Sequence, residues 1–94
     1  MELRSDLCPP DVAASIRRYV EEGCPVGDFL TAVLENNLKE SFARADAENV
    51  EALGHIVAFV WWKVPLSAWG SKERVAAWYK AHREGKAGHP KLDE

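Results

Sequence analysis

The chain predicts an all-α fold, a small bundle of about four helices. Apolar residues recur at helical spacing in four separate stretches, and capping or helix-breaking residues bracket each stretch. Nowhere do apolar and polar residues alternate over strand length with β-branched enrichment, so no sheet is expected. Ninety-four residues suit one domain with one modest core. A hydrophobic content of 47% excludes a disordered chain, while 29% charged residues keep the surface hydrated. The expected organisation is a helical domain over 1–85 and a flexible tail over 86–94, where charged residues, Gly88 and Pro90 leave almost no apolar anchor.

Pro9 and Pro10 open the first helix, because proline suits a first turn whose N–H groups have no intrahelical partner. Val12, Ile16, Tyr19 and Val20 then share a face, with Arg17, Arg18, Glu21 and Glu22 off it. Gly23 ends the helix and Pro25 prevents its continuation. A second helix starts at Gly27-Asp28, with the Asp28 charge favoured by the helix dipole. Its expected buried face is Phe29, Leu30, Val33, Leu34, Leu38 and Phe42. Asn36 and Asn37 interrupt that helix. Both bond readily to nearby backbone, which leaves exposure, a kink or contact with a ligand all open.

Asp46 caps the third and longest helix, with Val50, Leu53, Ile56, Val57, Val60, Trp61 and Val64 on a wide apolar face. Gly54 costs this helix about 1 kcal/mol relative to alanine, which close approach by another backbone would offset. Pro65 stops it. After the Leu66 to Gly70 connection, Ser71 caps a fourth helix carrying Val75, Trp78, Tyr79 and His82, and Gly85 terminates it.

Several function classes fall away. No run reaches the roughly 18 apolar residues of a membrane span, and the charged N-terminal stretch (Glu2, Arg4, Asp6) has no signal-peptide core. A cytoplasmic location, in a host cell, is the resulting expectation. Cys8 and Cys24 flank the first helix at a separation of about 20 Å, beyond the roughly 7 Å that a disulfide allows, and read as packing residues. His55, His82 and His89 show no paired metal-ligand spacing, so no metal or other cofactor is expected. No serine or cysteine is set in a nucleophile–base–acid motif, so the protein is read as non-enzymatic. A DNA-reading second helix would not carry Asp28, Glu35 and Glu40, which disfavours nucleic acid as a partner.

What remains is binding. The net charge is −3 overall, but residues 1–64 carry six basic and eleven acidic side chains, and residues 65–94 six basic and four acidic. An anion is therefore expected to approach the C-terminal third. Trp69-Gly70-Ser71 stands there, an aromatic ring beside a helix N-terminus whose N–H groups and dipole attract anions. Lys72 and Arg74 add positive charge. Trp61 and Trp62 project about 100° apart: either one wide core takes both, or at least one ring serves an interface or ligand platform.

The run Gly23-Cys24-Pro25-Val26-Gly27-Asp28-Phe29-Leu30-Thr31-Ala32-Val33-Leu34-Glu35-Asn36-Asn37-Leu38 resembles a pattern of small phage and prophage proteins, Gly-x-Pro-x-Gly-x-Phe-Leu-x-Ala-Val-Leu-x-Asn-Asp-Leu. Asp46 with Asn49, and Trp69-Gly70-Ser71, look like its later landmarks. Asn37 stands where the pattern has aspartate, and Trp61-Trp62-Lys63-Val64-Pro65 replaces a tyrosine-asparagine-glutamate run before the proline. The resemblance implies a phage setting, in which counter-defence or host takeover is expected rather than metabolism.

Together these features lead to one expectation: a counter-defence protein that sequesters a small anionic, nucleotide-like host molecule. Phosphate would meet the Gly70, Ser71 and Lys72 backbone with Arg74 nearby, and Trp69 would stack on a base. Asn36 or Asn37 would read ring edges, and Arg17 or Arg18 would reach across a subunit boundary. The alternative is a module that inhibits a host defence or regulatory protein by direct contact. Either way Trp61 and Trp62 are the expected interface residues of a homo-oligomer, first a dimer.

Overall fold

The computed structural model describes residues 4–85, so the tail expected over 86–94 lies outside the described residues. Among those residues there are five α-helices and no strand: α1 (Pro10–Glu22), α2 (Asp28–Leu34), α3 (Leu38–Arg44), α4 (Ala47–Lys63) and α5 (Lys72–Arg83). Two 3₁₀ turns, Ser5–Leu7 and Leu66–Ala68, precede α1 and follow α4. The all-α class is as the sequence predicts. The count is five rather than four because the expected second helix is two.

The break between α2 and α3 follows from carbonyl accounting. The last four C=O groups of a helix have no intrahelical donor. Here Thr31 O accepts from Glu35 N–H, Ala32 O from Asn37 N–H, Val33 O from Asn36 N–H and Leu34 O from Gly70 N–H. Asn36 takes a left-handed backbone (φ 62°), and its bonds with those of Asn37 form a Schellman closure. Asn37 at once reverses role, its side-chain oxygen accepting from Glu40 N–H at 3.1 Å to cap α3. One asparagine pair thus ends one helix and starts the next. Leu38 and Phe42, expected in the core, are instead 66% and 51% exposed, because the turn rotates α3 away from the stripe of α2.

The remaining helix ends match their predicted signals. Gly23 closes α1 at φ 69°, Asp46 accepts from Asn49 N–H to cap α4, and Ser71 accepts from Arg74 N–H to cap α5. A β-carbon on Gly23 would stand 2.6 Å from His82 Cβ, so both the backbone conformation and the contact with α5 require glycine.

Ile16, Tyr19 and Val20 of α1, Leu34 of α2, and Ile56 and Val60 of α4 are fully buried. Val12, Leu30, Val33, Leu53, Phe59, Val64 and Val75 surround them, with Phe29, Trp78 and Tyr79 partly buried against the cluster. Tyr19 is the hinge of this core. Its hydroxyl donates to Ala68 O at 2.7 Å and its own carbonyl accepts from Trp78 Nε1 at 3.1 Å. Its ring meets Tyr79 edge-on at 5.2 Å. His82, placed by the sequence on the stripe of α5, is half-buried, with Nε2 3.2 Å from Val20 O and its ring against Trp78.

The buried face of α4 is the expected one at Leu53, Ile56, Val60 and Val64 and differs elsewhere. Val50, Val57 and Trp61 are exposed, while Ala58 and Phe59 are buried. Apolar residues surround most of this helix, so several orientations bury comparable area, and its neighbours select one. The turn Ser5–Leu7 lies along α4, where Arg4 N–H donates to His55 Nδ1 at 3.1 Å. Cys8 and Cys24 are free thiols. Burial, with the nearby Asp11 charge, pushes Cys8 up to about 11.

Candidate functional site

A single backbone hydrogen bond joins the two segments that the sequence marked for binding. Gly70 N–H donates to Leu34 O at 2.7 Å, fastening the Trp69-Gly70-Ser71 segment to the C-terminus of α2. The Asn36-Asn37 turn is therefore held beside Trp69. Between them lies a cleft of about 170 Å³ lined by Asn36, Asn37, Ser41 and Trp69 together with Val33, Leu38, Leu53, Val57 and Val60. Val33, Leu53 and Val60 are buried and form its floor; Leu38 and Val57 are exposed and stand at its outer edge.

Polar groups in this cleft are partly committed. Ser41 Oγ donates to Asn37 O at 2.7 Å, and Asn37 Oδ1 accepts from Glu40 N–H. An amide oxygen has a second lone pair and the amide nitrogen two donors, so Asn37 retains recognition capacity. Asn36 is exposed, its left-handed backbone holding the amide at the cleft wall. Trp69 is half-buried, with its ring centroid 5.9 Å from that of Trp61 at an interplanar angle of 67°. An apolar floor, an aromatic wall and amides at one edge suit a planar ring with hydrogen-bonding edges. The volume lies below the roughly 300–1,000 Å³ of sites that enclose drug-sized ligands, so the cleft takes a ring rather than a whole nucleotide.

The cations expected around Ser71 are distributed differently. Arg74 folds back, its Nη1 3.3 Å from Leu66 O and 3.4 Å from Trp69 O, so it braces the loop that carries Trp69. Gly70 N–H is taken by Leu34, and Ser71 Oγ by Arg74 N–H. Lys72 remains exposed at the first turn of α5. Arg17 and Arg18 are not brought to the cleft. Arg17 lines a separate depression of about 250 Å³ with Asp6, Cys8, Phe59 and Lys63, and Arg18 is exposed with Nη2 3.3 Å from Ser15 Oγ.

Trp61 and Trp62 are 62% and 71% exposed, so one core does not take both. A wider depression of about 470 Å³, lined by Glu22, Gly23, Pro25, Tyr79, His82 and Arg83, lies beside the α1–α5 contact. Tyr79 and His82 there already bond to Val26 N–H and Val20 O. The cleft residues that sequence reasoning missed are Ser41, the apolar floor, and Leu38 and Val57 at the outer edge. Val33, Leu53 and Val60 looked like ordinary core positions, and no sequence signal separates a cleft floor from a core.

Among the described residues, no group of three or more histidine, cysteine, aspartate or glutamate side chains is arranged to hold a metal ion. No described helix is long and apolar enough to cross a membrane. Comparison of the chain with protein families, curated proteins and solved structures gives no match.

Proposed function

We propose that this protein is a non-enzymatic binding protein that captures a small, anionic, nucleotide-like molecule. The ring enters the cleft between α2, α3 and α4, and the anionic part extends toward Lys72. The observation that carries the reading is the convergence of Asn36, Asn37 and Trp69, separated by more than thirty positions in sequence, on one apolar-floored cleft. Stacking of a base on an aromatic ring contributes about 1–3 kcal/mol, and an amide edge adds directional hydrogen bonds. Lys72 supplies a cation outside the apolar cleft, where phosphate stays hydrated and is attracted without being buried.

In the phage setting that the motif resemblance implies, capture of a host nucleotide signal would act as counter-defence by mass action, with no chemical step. Calorimetry or native mass spectrometry against mono-, cyclic and dinucleotides tests the proposal. Binding at micromolar or tighter affinity to at least one class supports it, provided that Trp69→Ala weakens it and Asn36→Gly, which keeps the turn, weakens it too. Folded protein that binds nothing in the panel at micromolar concentration overturns it. The competing account, inhibition of a host defence or regulatory protein by contact, draws on the exposed tryptophans and requires no occupied cleft.

A further inference from the structure

The strongest feature beside the cleft, sharing its outer edge, is the apolar surface of the consecutive helices α3 and α4. Leu38 and Phe42 of α3, one turn apart, are exposed on one side of that helix. Val50, Val57 and Trp61 of α4 are also exposed and lie within about 40° of one another around the helix axis. The two rows adjoin, since Leu38 and Val57 line the same cleft and the helices meet at Ala45-Asp46 near Phe42 and Val50. The five side chains leave on the order of 500 Å² to solvent, at the upper end of the largest patches found on monomeric proteins.

We propose that a second copy of this chain covers this face, in a two-fold pairing through α3 and α4. Area is the first argument. Burying the patch on both copies removes on the order of 1,000 Å², and the small and polar rim around it has to supply only the remainder of the roughly 1,200 Å² at which stable interfaces begin. A contiguous patch of that size is of the kind that, even on monomeric proteins, often serves a contact.

Charge is the second argument. Arg44 bonds Asp28 Oδ2 of α2 at 3.4 Å and Glu40 Oε2 at 3.3 Å, so its guanidinium is neutralised within the chain, and Lys39 is the other cation of α3, exposed beside the face. The face itself carries no charged side chain among its five members. It can therefore meet its own copy without desolvating or opposing like charges, and it holds no charge pattern that selects a different protein. Trp62 lies off this face, about 100° around α4 from Trp61.

The pairing is argued from the exposed face and needs no ligand in the cleft, although the two share Leu38 and Val57 at the cleft's outer edge. Sedimentation velocity and light scattering on the full chain, from sub-micromolar to tens of micromolar, test it. The expected species has twice the 10.5 kDa chain mass. Phe42→Glu and Leu38→Glu, both at exposed positions, are expected to stay helical by circular dichroism and to weaken pairing about 30-fold or more, as loss of an interface anchor does. Trp62→Ala is expected to stay paired. A monomer throughout that range overturns the proposal, as does an assembly that both glutamate variants leave intact.

Discussion

Removing one oxygen from the core, by Tyr19→Phe, should destabilise the fold by about 1–3 kcal/mol. The ring stays: it is fully buried, meets Tyr79 edge-on at 5.2 Å and Trp78 at 6.5 Å, and neither contact involves the hydroxyl. The loss is the 2.7 Å bond from Tyr19 Oη to Ala68 O. Ala68 is itself fully buried, so its carbonyl faces neither bulk water nor another described partner once the phenol is gone. That orphaned acceptor sets the magnitude, because a lost exposed bond would cost far less. For a domain of this size each kcal/mol lowers the melting temperature by roughly 4–8 °C. Urea unfolding gives the free energy, and thermal unfolding by circular dichroism gives the shift. The 3₁₀ turn Leu66–Ala68 leads directly into Trp69, so the same variant should also loosen the cleft wall, seen as a change in Trp69 emission. A loss below about 0.5 kcal/mol would refute the argument, because it would mean that the carbonyl finds water or another donor.

Alkaline pH should act on the same core. Burial raises the Tyr19 phenol and the Cys8 thiol above their ordinary values, the latter to about 11. The folded state therefore holds these protons more tightly than the unfolded chain. Stability should be fully present below pH 9 and fall as pH rises through 9–11 for Cys8 and above 10 for Tyr19, with Tyr19→Phe showing a shallower decline. Asn36→Ala should cost about 1 kcal/mol, since alanine lacks the asparagine tolerance for the left-handed region, whereas Asn36→Gly should keep or slightly raise stability; urea titration of both separates backbone from side chain. Gly23→Ala should lose at least the 1–2 kcal/mol of the left-handed penalty, and more because its β-carbon overlaps His82; a wild-type midpoint would overturn this. Ile56→Ala empties a fully buried position and should cost about 2–5 kcal/mol by the same titration.

How far the fold was legible depends on whether local chemistry or tertiary context decided each element. For α1 local chemistry was enough: two prolines, a four-residue apolar stripe and Gly23 agree, and all four stripe residues are buried. The caps at Asp46 and Ser71 are local too, because a short side chain reaches only the N–H two or three residues ahead. The α2–α3 break was only half legible. Leu34, Leu38 and Phe42 continue at four-residue spacing, which imitates one long helix. The left-handed Asn36 is supported by a donor from residue 70, and no window around the asparagines contains it. On α4 the difficulty is the reverse: apolar residues surround so much of the axis that the sequence does not separate the buried Phe59 from the exposed Trp61.

The candidate site follows the same division. Residue identities at Asn36, Asn37 and Trp69 were readable because amides beside a break and an aromatic beside a cap are unusual. Their meeting depended on the Gly70–Leu34 hydrogen bond, a contact between an orphan carbonyl and a loop donor that no periodicity encodes. That bond also changed the site's chemistry. By occupying the Gly70 donor, and with Arg74 turned onto Leu66 O and Trp69 O, the fold spends on structure the groups expected to grip an anion. The proposed recognition therefore rests on the cleft rather than the helix N-terminus, and on the ring rather than the phosphate. This has a measurable consequence for ligand choice. If the cleft dominates, changing the base should alter affinity more than removing a phosphate, because about 1–3 kcal/mol of stacking resides at Trp69 while Lys72 acts through solvent. Raising the salt concentration should then weaken nucleotide binding only modestly. Base-indifferent binding that collapses with salt would return the site to the α5 N-terminus and refute the cleft as its centre.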